Sequence, residues 1–148
     1  MTIPRLFVDA DVLFAGAAAS SVHGASLMIL RMAEITLIEA LVSDQVITEA
    51  KRNLAAKIPG ALPAFELLVS RSLSIVPDPE SNDLEPYIGL ADPKDLPILV
   101  TAIREQCPWL VTFNVRDFHP GHPQVSVLRP GEFIWVVRDL LTWLNADE

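Results

Sequence analysis

Apolar residues in this chain are grouped into short dense runs, and longer amphipathic segments separate these runs. Such short runs are typical of buried strands, and the first, from Arg5 to Val8, is apolar enough to be covered on both faces of a sheet. The pattern predicts strands at residues 5–8, 35–42, 73–76, 109–112 and 125–128.

The segments between the predicted strands have apolar residues at helical spacing, and local signals mark where they begin and end. Ser43 or Asp44 can cap a helix that ends before Pro59. Pro97 lacks a backbone N–H, which is harmless only in a first helical turn, so its helix is predicted to begin at Asp95. The predicted helices span residues 25–33, 44–57, 61–70, 95–106 and 133–144, the last opened by Pro130-Gly131-Glu132. The predicted loops are residues 15–21, rich in small side chains, residues 78–91, with room for one helical turn, and the segment between the last two strands, which is rich in Pro, His and Gly.

This alternation of strands and helices predicts an α/β fold. Helices of this length allow right-handed crossovers, which produce a mainly parallel sheet with helices on both faces, a three-layer α/β/α sandwich. The 148 residues are expected to form one domain, 1–148, with a sizeable core. In such sheets ligands bind outside the carboxyl ends of the strands, so functional residues are expected there.

Composition and charge narrow the class of protein. The chain is 51% hydrophobic and 20% charged, which is typical of a folded globular protein. Its formal net charge of −8 argues against a nucleic-acid coat, but not against a nuclease whose site binds a metal. A basic, apolar leader and a run of membrane length are both missing, and the single cysteine cannot form an internal bridge, so we expect a cytoplasmic protein.

The candidate chemistry lies in polar residues that follow predicted strands or open a helix. Clustered carboxylates repel each other and lose solvation as a site closes, and a hard divalent cation such as Mg²⁺ or Mn²⁺ removes both problems. The pattern therefore favours metal-dependent hydrolysis of a phosphodiester. The candidates are Asp9 and Asp11 in LFVDADVLF, Asp92 and Asp95 in ADPKDLPIL, Thr112, Asn114 and Asp117 in TFNVRDF, and Glu49 in the helix after the second strand.

The ordered set VDADVL, SDQVITEA, DPKDLPILVTA and LVTFNVRDF resembles the PIN domain, the nuclease domain of VapC-type toxins in bacterial toxin–antitoxin pairs and of RNA-processing nucleases. The resemblance extends roughly from Pro4 to Phe118. It implies a five-stranded parallel sheet in the order 3-2-1-4-5, Mg²⁺ or Mn²⁺ dependence and endonucleolytic cleavage of single-stranded RNA. It also implies that the protein is a homodimer and has a cognate antitoxin as partner.

The resemblance also implies roles for individual residues. The first aspartate of the family falls on Asp9, its glutamate on Glu49 and its helix-opening aspartate on Asp95. Many members have an aspartate at the position of Asn114, so Asp117 is expected to supply the charge there and Asn114 to contact metal through its amide oxygen or through water. The predicted catalytic residues are Asp9, Glu49, Asp95 and Asp117, the metal ligands Asp9, Asp95, Asn114 and Asp117, the supporting residues Thr112, Asp11 and Asp92, and the phosphate-binding residues Arg116 and Lys94.

Several of these residues also have a purely structural interpretation. Asp11 can cap the turn after the first strand or accept a backbone N–H, and Asp92 and Asp95 can be ordinary helix caps. Glu49 can be a solvated helix residue, and Asp117 can anchor a loop. The basic residues can pair with surface carboxylates rather than bind phosphate.

Two other functions stay open from the sequence. LFVDADVLF also resembles the opening motif of haloacid-dehalogenase-type phosphatases, in which Asp9 would be the nucleophile and Ser43 part of a second motif. That interpretation is weaker, because Lys94 opens a helix instead of preceding a strand. The other alternative is a non-catalytic PIN-like module that only binds a partner, and the neutral Asn114 keeps it open.

Overall fold

The parallel sheet places the carboxyl ends of all its strands at one edge. The computed structural model describes residues 3–18 and 24–146, with side chains as far as residue 143. Within these ranges, five strands pair in parallel in the order β3-β2-β1-β4-β5, which confirms the predicted sheet. The strands are β1 (Arg5–Val8), β2 (Glu39–Ser43), β3 (Leu73–Val76), β4 (Trp109–Val111) and β5 (Ser126–Leu128).

α-Helices connect the first four strands, as the amphipathic segments predicted, whereas a short 3₁₀ helix and a loop connect the last two strands. Ser43 caps its helix as expected, because its hydroxyl accepts the Val46 N–H at 3.4 Å. The described residues form α1 (Ala10–Ala18), α2 (Ala25–Glu34), α3 (Asp44–Lys57), α4 (Leu62–Ser72), α5 (Ser81–Leu84), α6 (Leu96–Arg104) and α7 (Pro130–Ala146). Short 3₁₀ helices span Pro59–Ala61, Glu85–Tyr87 and Val115–Phe118. No helix in the described ranges is both long and apolar enough to cross a membrane.

The core is centred on β1. Leu6, Phe7 and Val8 are completely buried, so helices cover both faces of this strand. Trp109 of β4 packs edge-to-face on Phe133 of α7, with ring centroids 5.8 Å apart. Because β1 and β4 each pair with a strand on both sides, the residues directly after them are anchored to the middle of the sheet.

The predicted loop over residues 15–21 is wrong as far as Ala18, because α1 follows β1 directly. The small residue Gly16 of α1 packs closely against α2. A Cβ atom on Gly16 would lie 2.6 Å from Cδ1 of Leu30 in α2, so a larger residue here would force that buried leucine side chain to move. The rest of the predicted loop, residues 19–21, lies outside the described residues.

The predicted start of β2 at Ile35 is also wrong. Thr36 has φ of 64° and ends α2 in a Schellman arrangement, with its N–H donating to the Ala33 carbonyl at 3.1 Å and the Leu37 N–H to Met32 at 3.0 Å. Ile35 is 65% exposed, whereas β2 begins only at Glu39. The apolar run therefore spans a helix end, a turn and a strand, which hydrophobicity alone cannot separate.

Candidate metal centre

Asp9 is the first residue after β1 and lies almost buried, at 7% exposure. Its backbone N–H extends the sheet by donating to the Val111 carbonyl at 3.0 Å. Its Oδ1 accepts the Ala10 N–H at 2.7 Å, and its Oδ2 accepts the Thr112 hydroxyl at 2.9 Å. Both carboxylate oxygens are therefore oriented by fixed donors.

Thr112 connects the segments that follow β1 and β4. It is completely buried, and its backbone N–H donates to the Leu128 carbonyl at 2.9 Å. Besides donating to Asp9, its Oγ1 accepts the Asn114 N–H at 3.0 Å. The predicted supporting residue thus lies beneath the site and sets the conformation of the loop after β4.

Asp11 lies in the first turn of α1 and reaches the same loop. Its Oδ2 accepts the Phe113 N–H at 3.0 Å, which is the backbone contact expected from the structural interpretation. Its other oxygen, Oδ1, is buried and has no hydrogen-bond partner among the described residues. Asp11 therefore anchors the loop with one oxygen and leaves the other available to a ligand.

Asp95 precedes α6, as predicted, but its carboxylate makes no capping hydrogen bond within the described chain. Its Oδ2 is buried and likewise has no partner among those residues. Asp92, in contrast, is exposed and has a structural role, because its Oδ1 accepts the Lys94 N–H at 3.2 Å. The Asp92 N–H also donates to the Asp117 carbonyl at 2.7 Å, which ties the two loops together.

These segments form an acidic cleft of about 160 Å³ at the carboxyl ends of the strands. The cleft brings together every predicted catalytic and metal-binding residue, whereas Thr112, Asp92 and the exposed Arg116 lie outside its lining. Gln45 was not predicted, although it precedes Glu49 by four residues and so shares a face of α3. The cleft is lined by Asp9, Asp11, Gln45, Glu49, Lys94, Asp95, Asn114 and Asp117.

The carboxylates are held together against their own repulsion. Burial, followed by the charge of Asp11, raises the pKa of Asp9 from 3.8 to about 7. Burial and then the charge of Asp117 raise the pKa of Asp95 to about 6, although Lys94 opposes this shift. Burial also raises the pKa of Asp11. The site therefore stores unfavourable negative charge, which a cation would relieve.

The donor set fits a hydrated hard cation. In residues 3–18 and 24–146, no three histidine, cysteine, aspartate or glutamate side chains converge closely enough to hold an ion by themselves. Mg²⁺ does not need such a cage, because it commonly binds one or two carboxylates and keeps several waters. In the cleft, two buried oxygens have no hydrogen-bond partner among the described residues: Asp95 Oδ2, which such an ion would satisfy directly, and Asp11 Oδ1, which would accept from one of its waters.

A parallel sheet in this order, with an acidic cleft outside its central strands, defines the class of PIN-like α/β proteins. A family model described as PIN domain matches residues 5–116, and the chain therefore belongs to the PIN domain family, whose members are generally nucleases. Membership in this family argues against the alternative of a haloacid-dehalogenase-type phosphatase. Ser43 agrees with this outcome, because it is 1% exposed and acts as a helix cap.

The solved structures agree with this fold. The chain is similar to a structure described as the crystal structure of VapBC2 from Rickettsia felis bound to a DNA fragment from their promoter. The match has a TM-score of 0.61 and 17% sequence identity, and it covers 83% of this chain and 96% of that one. A comparison with curated protein sequences finds no significant match.

Proposed function

We propose that this protein is an endoribonuclease that hydrolyses phosphodiester bonds of single-stranded RNA with Mg²⁺ or Mn²⁺. The observation that carries the proposal is the convergence of Asp9, Glu49, Asp95 and Asp117 on one cleft. The four carboxylates are far apart in the sequence: Asp9 follows β1, Glu49 lies on a face of α3, Asp95 precedes α6, and Asp117 lies in the 3₁₀ helix after β4. Partial burial of carboxylates that repel each other costs free energy, and solubility alone does not require it.

The residues of the cleft divide into cation ligands and groups that orient the substrate. We assign the cation to Asp9, Asp95, Asn114 and Asp117, which supply the oxygen ligands that Mg²⁺ and Mn²⁺ prefer. When bound, the cation neutralises charge on the scissile phosphate and activates the attacking water. Thr112 keeps Asp9 oriented through its hydrogen bond of 2.9 Å.

Glu49 and the basic residues lie on the open side. Glu49 is exposed on α3, and we assign to it the hydrogen bond that orients the attacking water. Lys94 is the basic side chain in the described lining, and Arg116 is exposed on the 3₁₀ helix after Asn114. Both can contact RNA phosphates beside the cleft, which fits a protein whose overall charge is negative.

We further propose that the protein is the toxin of a type II toxin–antitoxin pair and acts in the cytoplasm. Support comes from the fold shared with VapBC2, which is a toxin–antitoxin complex. Overexpression should arrest growth, and an antitoxin gene beside this one should relieve the arrest. The homodimer that the resemblance implies stays a prediction, which light scattering of the purified protein tests.

Cleavage of a labelled single-stranded RNA tests the nuclease. With Mg²⁺ or Mn²⁺ the wild-type protein should cut it, and EDTA should stop the reaction. Asp9→Asn and Asp95→Asn should each lower the rate by at least about 100-fold, because each removes a charge from the cation site. Asp139→Asn changes an exposed carboxylate on α7, outside the cleft lining, and should cleave like wild type.

Two outcomes contradict the proposal. Cleavage that persists in both Asp9→Asn and Asp95→Asn would show that the site is elsewhere. Absence of cleavage by folded wild-type protein, together with tight binding of a protein partner, would identify a non-catalytic module. Circular dichroism of each variant distinguishes loss of chemistry from loss of fold.

A further inference from the structure

Phe113 has an exposed side chain, and its backbone lies next to residues that line the acidic cleft. It is 45% exposed, whereas the preceding Thr112 is completely buried and Phe118 in the same segment is 2% exposed. The hydroxyl of Thr112 is thus buried in the protein, whereas the aromatic ring of Phe113 is exposed to solvent. Hydrophobic burial alone predicts the opposite arrangement.

The backbone of Phe113 is fixed at the edge of the cleft. Its N–H donates to Asp11 Oδ2 at 3.0 Å, and the next N–H, that of Asn114, donates to Thr112 Oγ1 at 3.0 Å. Both Asp11 and Asn114 line the cleft. The ring is therefore carried by a backbone already ordered for the site, which reduces the entropy lost when a ligand contacts it.

The position of Phe113 separates it from the other exposed aromatic side chains that the structure describes. Trp135 and Trp143 are exposed on α7, which begins at Pro130 and contributes no residue to the cleft. The Trp135 ring also has a partner, because the Arg138 guanidinium lies 4.7 Å from its centroid. Among the exposed aromatic side chains that the structure describes, Phe113 is thus the one whose backbone contacts a residue of the cleft.

We propose that Phe113 binds substrate by stacking on one unpaired base beside the scissile phosphate. This inference rests on the proposed ribonuclease function. Proteins recognise single-stranded RNA by stacking its splayed bases on aromatic side chains, and a neutral ring makes this contact without adding charge. A base inside a duplex is already stacked on both sides, so the same contact explains a preference for single strands.

Matched substitutions separate stacking from apolar packing. Phe113→Leu keeps an apolar side chain but removes the aromatic face, and we expect it to raise KM for single-stranded RNA about 5- to 100-fold. The kcat should change less than about 3-fold, because the stacked base contributes equally to binding in the ground and transition states. Phe113→Tyr keeps the ring and should have a KM within about 3-fold of wild type.

RNA substrates with one abasic residue test the partner of the ring. With wild-type protein, an abasic residue at one position next to the cleavage site should raise KM about as much as Phe113→Leu does. With Phe113→Leu the same abasic residue should have little further effect, because the contact is already lost. The abasic scan of the wild-type protein is informative even if the Phe113→Leu variant does not fold.

Three results would overturn the inference. The first is a Phe113→Leu variant with wild-type KM, and the second is an abasic scan in which no position raises the KM of the wild-type protein. The third is an abasic effect of equal size in wild type and Phe113→Leu. In each case RNA is still cleaved in a metal-dependent manner, so the proposed function stands, whereas a wild-type protein without any cleavage contradicts both.

Discussion

Asp9 is nearly completely buried, and four neighbouring groups affect the ionisation of its carboxylate, namely Asp11, Ala10, Thr112 and Asp95. Its carboxylate accepts hydrogen bonds from Ala10 and Thr112, which favour ionisation, yet burial and the nearby Asp11 have a larger effect in the opposite direction. Because burial and the charge of Asp11 outweigh the hydrogen bonds, the pKa of Asp9 is raised even though its carboxylate is hydrogen-bonded. This raised pKa also links the chemistry of the site to the stability of the fold.

The raised pKa of Asp9 predicts how stability changes with pH in metal-free protein. Its pKa is about 7 when folded and 3.8 for the free side chain, so between these values the folded state binds the extra proton. Stability is therefore highest at the acid end of this window and decreases as pH rises towards 7. Between pH 5 and 8 in EDTA, the free energy of unfolding should fall by about 1 to 3 kcal/mol.

Asp9→Asn provides the control for this prediction. Asparagine is isosteric, its amide oxygen can accept the Ala10 N–H, and it carries no charge. The variant should therefore be more stable than wild type at pH 8 and should show a weaker pH dependence in urea unfolding. Parallel pH profiles for the two proteins would contradict the assignment of the slope to Asp9.

At the scale of elements, most residues of the candidate site follow a strand or open a helix, whereas the C-terminal end of α2 contributes none of them. At the end of α2, a β-branched residue occupies a left-handed conformation. Thr36, at φ of 64°, is at the position where a Schellman motif usually has glycine. It lies at the opposite end of the sheet from the acidic cleft, since it precedes β2 rather than following it.

Thr36→Gly should stabilise the protein. Removing the Cβ relieves the unfavourable left-handed conformation, and we expect the free energy of unfolding to increase by about 0.5 to 1 kcal/mol. Thr36→Ala removes the same hydroxyl but keeps a Cβ, so it should give no such increase. Chemical denaturation of the three proteins provides the comparison, and equal effects of glycine and alanine would exclude strain as the cause.

For the whole molecule, the acidic cleft should couple cation binding to folding. A cation that binds only the folded state raises stability by mass action, and here it also relieves the repulsion between Asp9, Asp11 and Asp95. At pH 8, millimolar Mn²⁺ or Mg²⁺ should raise the thermal midpoint by about 3 to 8 °C relative to EDTA. Scanning fluorimetry at matched ionic strength measures this shift.

The variants make this prediction specific. Asp95→Asn should show a smaller shift than wild type, because it loses a proposed ligand, whereas Asp139→Asn should show the full shift. A shift of the same size in Asp9→Asn, Asp95→Asn and wild type would mean that the cation binds elsewhere on this acidic chain. The result is independent of RNA cleavage and therefore tests the cation site alone.

Several elements could be predicted because their signals are local. Ser43 caps α3 and Pro97 places the start of α6 through contacts within one helical turn, and both were predicted correctly. The start of β2 could not be predicted in the same way, because Ile35 and Leu37 are apolar but exposed. Gly16 was misinterpreted for a related reason, since its function is to contact a different helix, and nothing near it in the sequence reports that contact.

The sequence by itself determined the order of the strands, most of the helices and the set of acidic residues at strand and helix ends, because periodicity and capping depend on neighbouring residues. It did not determine α1. It did determine that the acidic residues meet, since the carboxyl ends of parallel strands share one edge. Only the tertiary structure decided how these acidic residues differ in burial and in hydrogen-bond partners. Asp9 is buried against Thr112, 103 residues away, and Asp11 anchors the loop that exposes Phe113. Burial and hydrogen bonding of this kind depend on distant segments, which no local pattern encodes.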